Sequence, residues 1–220
     1  MLLHGFLSSK EAFTAQIAYF SRFYRVTAFD FVGQGKSAPL AEAYSVDDYA
    51  AWTEEVLTLL DVRSPLIIAH SFGCRVAIKM AKRGLVLPPK MVLTGPAGVV
   101  LPRGVRYRWR VRAYRFVKRF APRFAERRFG SREYRALPPM MKESYKKIVN
   151  EDLRKDAACI PAEVLIIEGR EDRVTPLNEA EAYLAVMKRA KITLMDGGHF
   201  AFAEHPLAFN LLVEEFLQDV

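Results

Sequence analysis

Short apolar runs alternate with longer amphipathic stretches along this chain, and no other feature restricts its fold as much. The runs are Arg25 to Phe29, Pro65 to Ala69, Lys90 to Leu93, Glu163 to Ile167 and Lys191 to Met195, each rich in Val, Ile or Leu and soon followed by Gly, Asp or Ser. They read as strands. Between them, 10–22, 46–60, 72–83, 177–188 and 205–218 carry helical periodicity, and Ser45 with Asp48 forms a capping-box pattern at the start of the second. Strand and helix in strict alternation imply parallel strands joined by right-handed crossovers. The expected fold class is therefore α/β, a doubly wound, mostly parallel sheet. Met1 to Leu3 precede the first turn, and three residues are too few for a robust strand.

The alternation stops between 97 and 158. That stretch shows aromatic and basic residues at helical spacing, broken at Pro122, Gly130 and Pro138–Pro139. It is read as an inserted helical lid, which divides the chain into core residues 1–96, a basic cap at 97–158 and core residues 159–220. The net charge of +8 arises in this insert: residues 103–155 hold 13 Arg and 5 Lys against 4 Glu and 1 Asp, net +13, which leaves −5 for the rest. Val105, Trp109, Ala113, Phe116 and Phe120 share one helical face, so the plain reading is an aromatic face on the body and a basic face in water. The charge keeps an anionic membrane surface among the expected partners, whereas nucleic acid is not expected. Each basic residue near an anionic bilayer contributes about 1 kcal/mol. Vesicle co-sedimentation is expected to show salt-sensitive retention on anionic vesicles over neutral ones, led by Arg106, Arg108, Arg110 and Arg112. Equal retention on both would reduce the insert to a pocket cover.

Composition excludes several classes. With 51% apolar and 26% charged residues the chain is globular. It has no run of eighteen apolar residues and no signal-peptide pattern. Cys74 and Cys159 make no disulfide framework and fit a reducing, cytoplasmic setting. Two Cys and four His, scattered, lack zinc-ligand spacing, so no metal is expected.

The sharpest chemical signal is Ala69-His70-Ser71-Phe72-Gly73, between an apolar run and a helical stretch. A turn from strand to helix this tight crowds the backbone beside its central residue, and small residues two positions either side relieve it. Such a turn lifts Ser71 to the C-terminal edge of the sheet. A helix-capping serine is the bland alternative. A serine nucleophile needs a base, and the base an orienting carboxylate. Asp172 follows the run at 163–167 and His199 follows the run at 191–195, both where loops gather at strand C-termini. Glu171 and Asp196 are the rival acids. His4 supports a turn, His70 belongs to the elbow, and His205 opens the last helix. For an oxyanion hole, the N–H groups of Phe72 and of Phe6, in His4-Gly5-Phe6-Leu7, are the candidates. In Asp30-Phe31-Val32-Gly33-Gln34-Gly35-Lys36-Ser37 the glycine spacing meets neither the dinucleotide nor the Walker pattern, so Gly33 and Gly35 are read as positive-φ turn residues under the pocket.

Together, His4 to Phe6, Asp30 to Ser37, the elbow at 69–73, Gly169 to Pro176 and Gly197-Gly198-His199 resemble the α/β-hydrolase superfamily over nearly the whole chain, with a helical lid inserted where that family places its cap. The resemblance implies Ser71 as nucleophile, His199 as base and Asp172 as orienting acid, with Phe6 and Phe72 at the oxyanion hole and His4, Gly5, Asp30, Gly33, Gly35, His70 and Gly73 as turn and pocket support. Serine at the elbow, rather than aspartate, argues against epoxide hydrolases and haloalkane dehalogenases. The end of the chain is similar to carboxylesterases and carbon–carbon bond hydrolases. Ala69 departs from the glycine usual there. The chain also opens at the His-Gly turn, where the family has earlier strands. A truncated or late-assigned start is one reading of this, and an open sheet edge would favour a homodimer. The expected activity is cofactor-free hydrolysis of a small ester or other acyl substrate, anionic or lipid-like. The alternatives are a carbon–carbon hydrolase of a keto-acid, with the basic lid holding its carboxylate, and a non-catalytic scaffold binding an anionic partner.

Overall fold

The computed structural model describes residues 1–84, 88–101, 109, 134 and 136–218. Five parallel strands lie in sequence order: β1 (Leu2–Leu3), β2 (Ile67–His70), β3 (Lys90–Thr94), β4 (Glu163–Gly169) and β5 (Ala190–Met195). Leu3 pairs with Ala69, Ala69 with Leu93, and Ile167 with Thr94 and Thr193. Every residue of β2 and β3 is buried, which explains why these strands read as continuous apolar runs rather than alternating ones.

Two layers of helix cover the sheet. One face packs against α2 (Val46–Leu59), α3 (Phe72–Arg83) and α6 (Leu177–Leu184) through Tyr49, Leu57, Ile78 and Tyr183. The other packs against α1 (Thr14–Phe20), which continues a 3-10 turn at Lys10–Phe13, a short α7 (Ala201–Glu204) and α8 (Pro206–Gln218), through Phe13, Phe202, Phe209 and Val213. This is the doubly wound arrangement expected. The described part of the insert contains α4 (Pro139–Val149) and α5 (Arg154–Ala157). The proposed helix at 105–120, with Arg106, Arg108, Arg110 and Arg112, lies outside the described residues apart from Trp109. Among the described residues no helix is long and apolar enough to cross a membrane.

The capping box forms as expected: Ser45 Oγ accepts from Asp48 N–H, and Asp48 Oδ2 accepts from Ser45 N–H. One strand does not form. Residues 25–29 contribute a single parallel bridge, Ala28 to Leu2, and Leu2 N–H donates to Thr27 O at 2.9 Å. An apolar run carries β propensity, but a ladder extends only as far as its partner does. Among the described residues the strand alongside 25–29 is β1, which has two residues. Conversely, Leu2–Leu3 does form a strand despite its brevity, because β2 lies alongside it. The helical reading of 10–22 resolves into the 3-10 turn and α1, that of 177–188 ends at Leu184, and that of 205–218 opens at Pro206. A cavity of about 370 Å³ lies beside β1, lined in part by Met1, Tyr24, Val26, Pro65 and Leu66.

Candidate active site

The turn from β2 into α3 holds Ser71 at φ 51, ψ −108. A β-carbon in that region costs energy and persists only where the surroundings enforce it. Three contacts enforce it here. Ser71 N–H donates to Thr94 O at 3.1 Å, and Ser71 O accepts from Cys74 N–H at 3.1 Å. Gly73 touches the end of β1, where an added Cβ would stand 2.2 Å from Leu3 O and 2.9 Å from His4 O. Ala69, in place of the customary glycine, is buried within the β1–β2–β3 ladder, and the elbow forms with that methyl in place. Gly73→Ala is expected to destabilise the fold by about 3 kcal/mol, the upper range for overpacking, because backbone rather than a flexible side chain must move. A urea-denaturation midpoint equal to wild type, at unchanged slope, would contradict this.

Asp172 and His199, 27 positions apart in the chain, meet beyond the ends of β4 and β5. His199 Nδ1–H donates to Asp172 Oδ2 at 2.7 Å. Asp172 is buried and fully engaged: Oδ1 accepts from Val174 N–H at 2.7 Å and Thr175 N–H at 3.0 Å, and Oδ2 accepts also from Thr175 Oγ1 at 3.0 Å. Burial pushes its pKa up, but the hydrogen bonds and charge of His199 and the turn amides outweigh burial and hold it at about 2. Asp196, the rival acid, is instead turned to solvent, where it pairs with Arg170 at 3.4 Å. Glu171 is exposed.

Gly95, absent from the sequence reading, joins this pair to the elbow. It follows Thr94, the acceptor for Ser71, and a Cβ on it would lie 3.1 Å from His199 Nδ1 and 3.3 Å from Asp172 Oδ2. Its φ of 51 is a second reason for glycine there. On the opposite side a Cβ on Gly5 would lie 2.9 Å from His70 Nδ1 and 3.6 Å from Ser71 Cβ, so the His4 to Leu7 loop lies directly over the serine. The rings of Phe6 and Phe72 meet edge to face at 5.5 Å, which brings together the two residues whose amides were assigned to the oxyanion hole.

The supporting residues are placed by specific bonds. His4 is buried; its Nδ1–H donates to Gly5 O at 2.7 Å, and its Nε2 accepts from Phe31 N–H at 3.0 Å. That fixes one neutral tautomer, and burial depresses its pKa accordingly. Asp30 accepts from Lys10 N–H at 2.7 Å and Lys36 N–H at 2.8 Å. Gly33 and Gly35 both have positive φ, and a Cβ on Gly35 would overlap Asp30 Oδ2 at 2.3 Å. The glycines are turn residues, as read. Between them Gln34, also missed, accepts Leu7 N–H on Oε1 at 2.8 Å and so ties this turn to the Gly5–Phe6 loop. His70 is buried behind His199: its Nε2–H donates to His199 O at 2.8 Å, the two rings are 4.6 Å apart, and burial drives its pKa down to about 3. His205 O accepts from Phe209 N–H and so opens α8, as expected.

Among the described residues no cluster of three or more His, Cys, Asp or Glu is arranged to hold a metal. The assembly brings together a half-buried serine at a tight strand-to-helix turn, a histidine bonded to a carboxylate, and a glycine loop packed against the serine.

Known proteins share this plan. A 2-hydroxymuconate semialdehyde hydrolase of Pseudomonas putida is 29% identical over 220 residues, spanning 89% of this chain and 77% of its own. A meta-cleavage product hydrolase of Pseudomonas fluorescens superposes with a TM-score of 0.74 at 26% identity, covering 99% of this chain and 89% of that one. An esterase of Exiguobacterium antarcticum superposes with a TM-score of 0.77 over 99% of this chain and 90% of that one; at 21% identity it speaks for the fold alone. The match to the alpha/beta hydrolase family runs from residue 1 to residue 210, and the chain belongs to that family.

Proposed function

We propose that this hydrolase acts through Ser71, His199 and Asp172, and that its substrate is a conjugated keto-acid cleaved at a carbon–carbon bond. The observation that carries the catalytic part is the half-buried His199–Asp172 bond of 2.7 Å, packed on Gly95 next to the Thr94 carbonyl that holds Ser71 at positive φ. His199 Nε2 takes the Ser71 proton while Asp172 stabilises the resulting imidazolium, and the Phe6 and Phe72 amides receive the developing oxyanion. With a keto-acid the bond that breaks leaves a carbanion, which conjugation to the keto group delocalises and which the His199 proton quenches. Water then completes the hydrolysis. No cofactor enters this scheme.

The choice of a carbon–carbon bond over an ester is supported by the relatives: the Pseudomonas putida protein is named for hydrolysis of 2-hydroxymuconate semialdehyde, and the Pseudomonas fluorescens protein for that of meta-cleavage products. This favours what the sequence reading carried as its alternative. Ester cleavage is the second reading, since the same parts perform both. Exposed apolar residues follow three of the site residues in the chain: Leu7 after Phe6, Val174 and Leu177 after Asp172, and Phe200 after His199. A comparison of kcat/KM on a dienoic 2-keto-acid and on p-nitrophenyl esters decides between the readings. A preference of at least ten-fold for the keto-acid is expected, and a preference for esters would return the assignment to an esterase.

A further inference from the structure

A buried acid behind the catalytic pair has no part in the chemistry above. Glu168 lies near the end of β4 and is fully buried; no described group meets either of its oxygens in full hydrogen-bond geometry, and the side chain it approaches is the Asp172 carboxyl. Side chains alternate along a strand, so Glu168 shares the face of Val164 and Ile166, packed among the apolar groups beneath α3 and α6. The buried cations of α3 are engaged elsewhere. Arg75 donates to Ile148 O at 2.7 Å and Glu151 O at 3.0 Å, and Lys79 pairs with Asp47, Glu151 and Asp156. Lys90 and Lys191 sit at the opposite end of their strands, in register with Glu163 and Leu165. Among the described residues, the ionisable groups that act on Glu168 are the acids Asp172, Cys74 from α3 and Glu179 from α6, and the imidazole of His199 stands on the far side of Asp172, bonded to it at 2.7 Å. A carboxylate cannot persist in such a place without a cation, so Glu168 holds its proton.

Its location ties it to the site. Gly169, the next residue, accepts Asp172 N–H at 3.0 Å, and a Cβ there would stand 2.3 Å from Gly198 O in the turn that carries His199. A disturbance at Glu168 therefore reaches both partners of the catalytic pair through a contact with no slack. We propose that Glu168 is an alkaline off-switch: neutral, it leaves the site undisturbed, and on losing its proton it sets a second buried negative charge against Asp172 and forces apart the turns that hold Asp172 and His199. The proton passes to hydroxide, and no bond other than O–H breaks. Burial first, and the charge of Asp172 second, raise the pKa of Glu168 from 4.5 to about 9, which places the transition at mildly alkaline pH.

The same linkage has a stability consequence with a definite sign. Below pH 4.5 both folded and unfolded chains carry the proton and Glu168 contributes nothing. Between 4.5 and about 9 only the folded chain keeps it, so stability falls across that window and levels off above it. Glu168→Gln keeps the shape and cannot ionise.

The inference rests on the functional reading for its activity arm but not for its stability arm. Fluorophosphonate labelling rate and thermal unfolding are to be followed from pH 5 to pH 10 in wild type, Glu168→Gln and Glu168→Leu, the last guarding against an amide that fails to fold. The expected result is equal labelling rates at pH 7, a fall of ten-fold or more in wild type above pH 9 that the folded variants lack, and a melting temperature that declines with pH more steeply in wild type. One shared alkaline limb, or parallel melting curves, would overturn the inference. Absence of labelling in wild type at every pH would sink the functional reading, and the melting curves would still decide Glu168.

Discussion

Ser71→Ala is expected to reduce kcat by on the order of 10⁶, with the fold intact. Losses of that size follow removal of a serine nucleophile when the rest of its assembly stays in place. The structure explains why the change should be confined to chemistry. The side chain of Ser71 supports no part of the elbow; the bonds that fix the turn are made by its backbone N–H and C=O, to Thr94 and Cys74, and by the contact of Gly73 on Leu3. Alanine shares the β-carbon of serine and so the same cost at φ 51. A variant with an unchanged melt and undiminished turnover would mean that the serine merely caps α3.

Asp172→Asn carries the second large effect, a fall of about 10⁴ in kcat. In the native site the Asp172 carboxylate only accepts, so His199 must donate from Nδ1, and Nε2 is left free to take a proton. An asparagine amide turned toward His199 donates instead, which reverses the tautomer and removes the base. The Asp172 pKa adds a pH signature. Because the folded value is lowered to about 2 from 3.8, its contribution to stability is complete above pH 3.8 and lost as pH falls through 2. That contribution is about 2 kcal/mol, at 1.36 kcal/mol per unit. Acid unfolding in the variant should lack this component. Asp196→Asn is the control: a solvent-facing partner of Arg170 should change kcat less than two-fold, and a large loss there would identify the wrong acid.

The residues proposed to do chemistry were legible because each follows a strand with glycine or another small residue nearby at a spacing only a tight turn explains. Ser71, Asp172 and His199 are scattered over 129 positions, yet order and strand context point to all three. The residues that support them were not legible in the same way. Gln34 reaches Leu7 across 27 positions, and Gly95 matters only because His199 and Asp172 close over it. The turn that holds Asp172 was open to detection, since an aspartate side chain commonly accepts from the backbone N–H two residues on, as Asp172 Oδ1 does from Val174. Glu168 carries no local sign of its burial beyond its place at the end of an apolar run. The strand expected at 25–29 failed for a related reason: propensity is local, whereas a ladder depends on the length of its neighbour.

The central claim is that this chain holds an activated serine. Incubation of the folded protein with a fluorophosphonate, followed by mass analysis of its peptides, tests that claim before any substrate is known. The account predicts one adduct per chain on Ser71, slowed by orders of magnitude in Asp172→Asn and abolished in Ser71→Ala. An unlabelled wild type, or an adduct that survives Ser71→Ala, would contradict it.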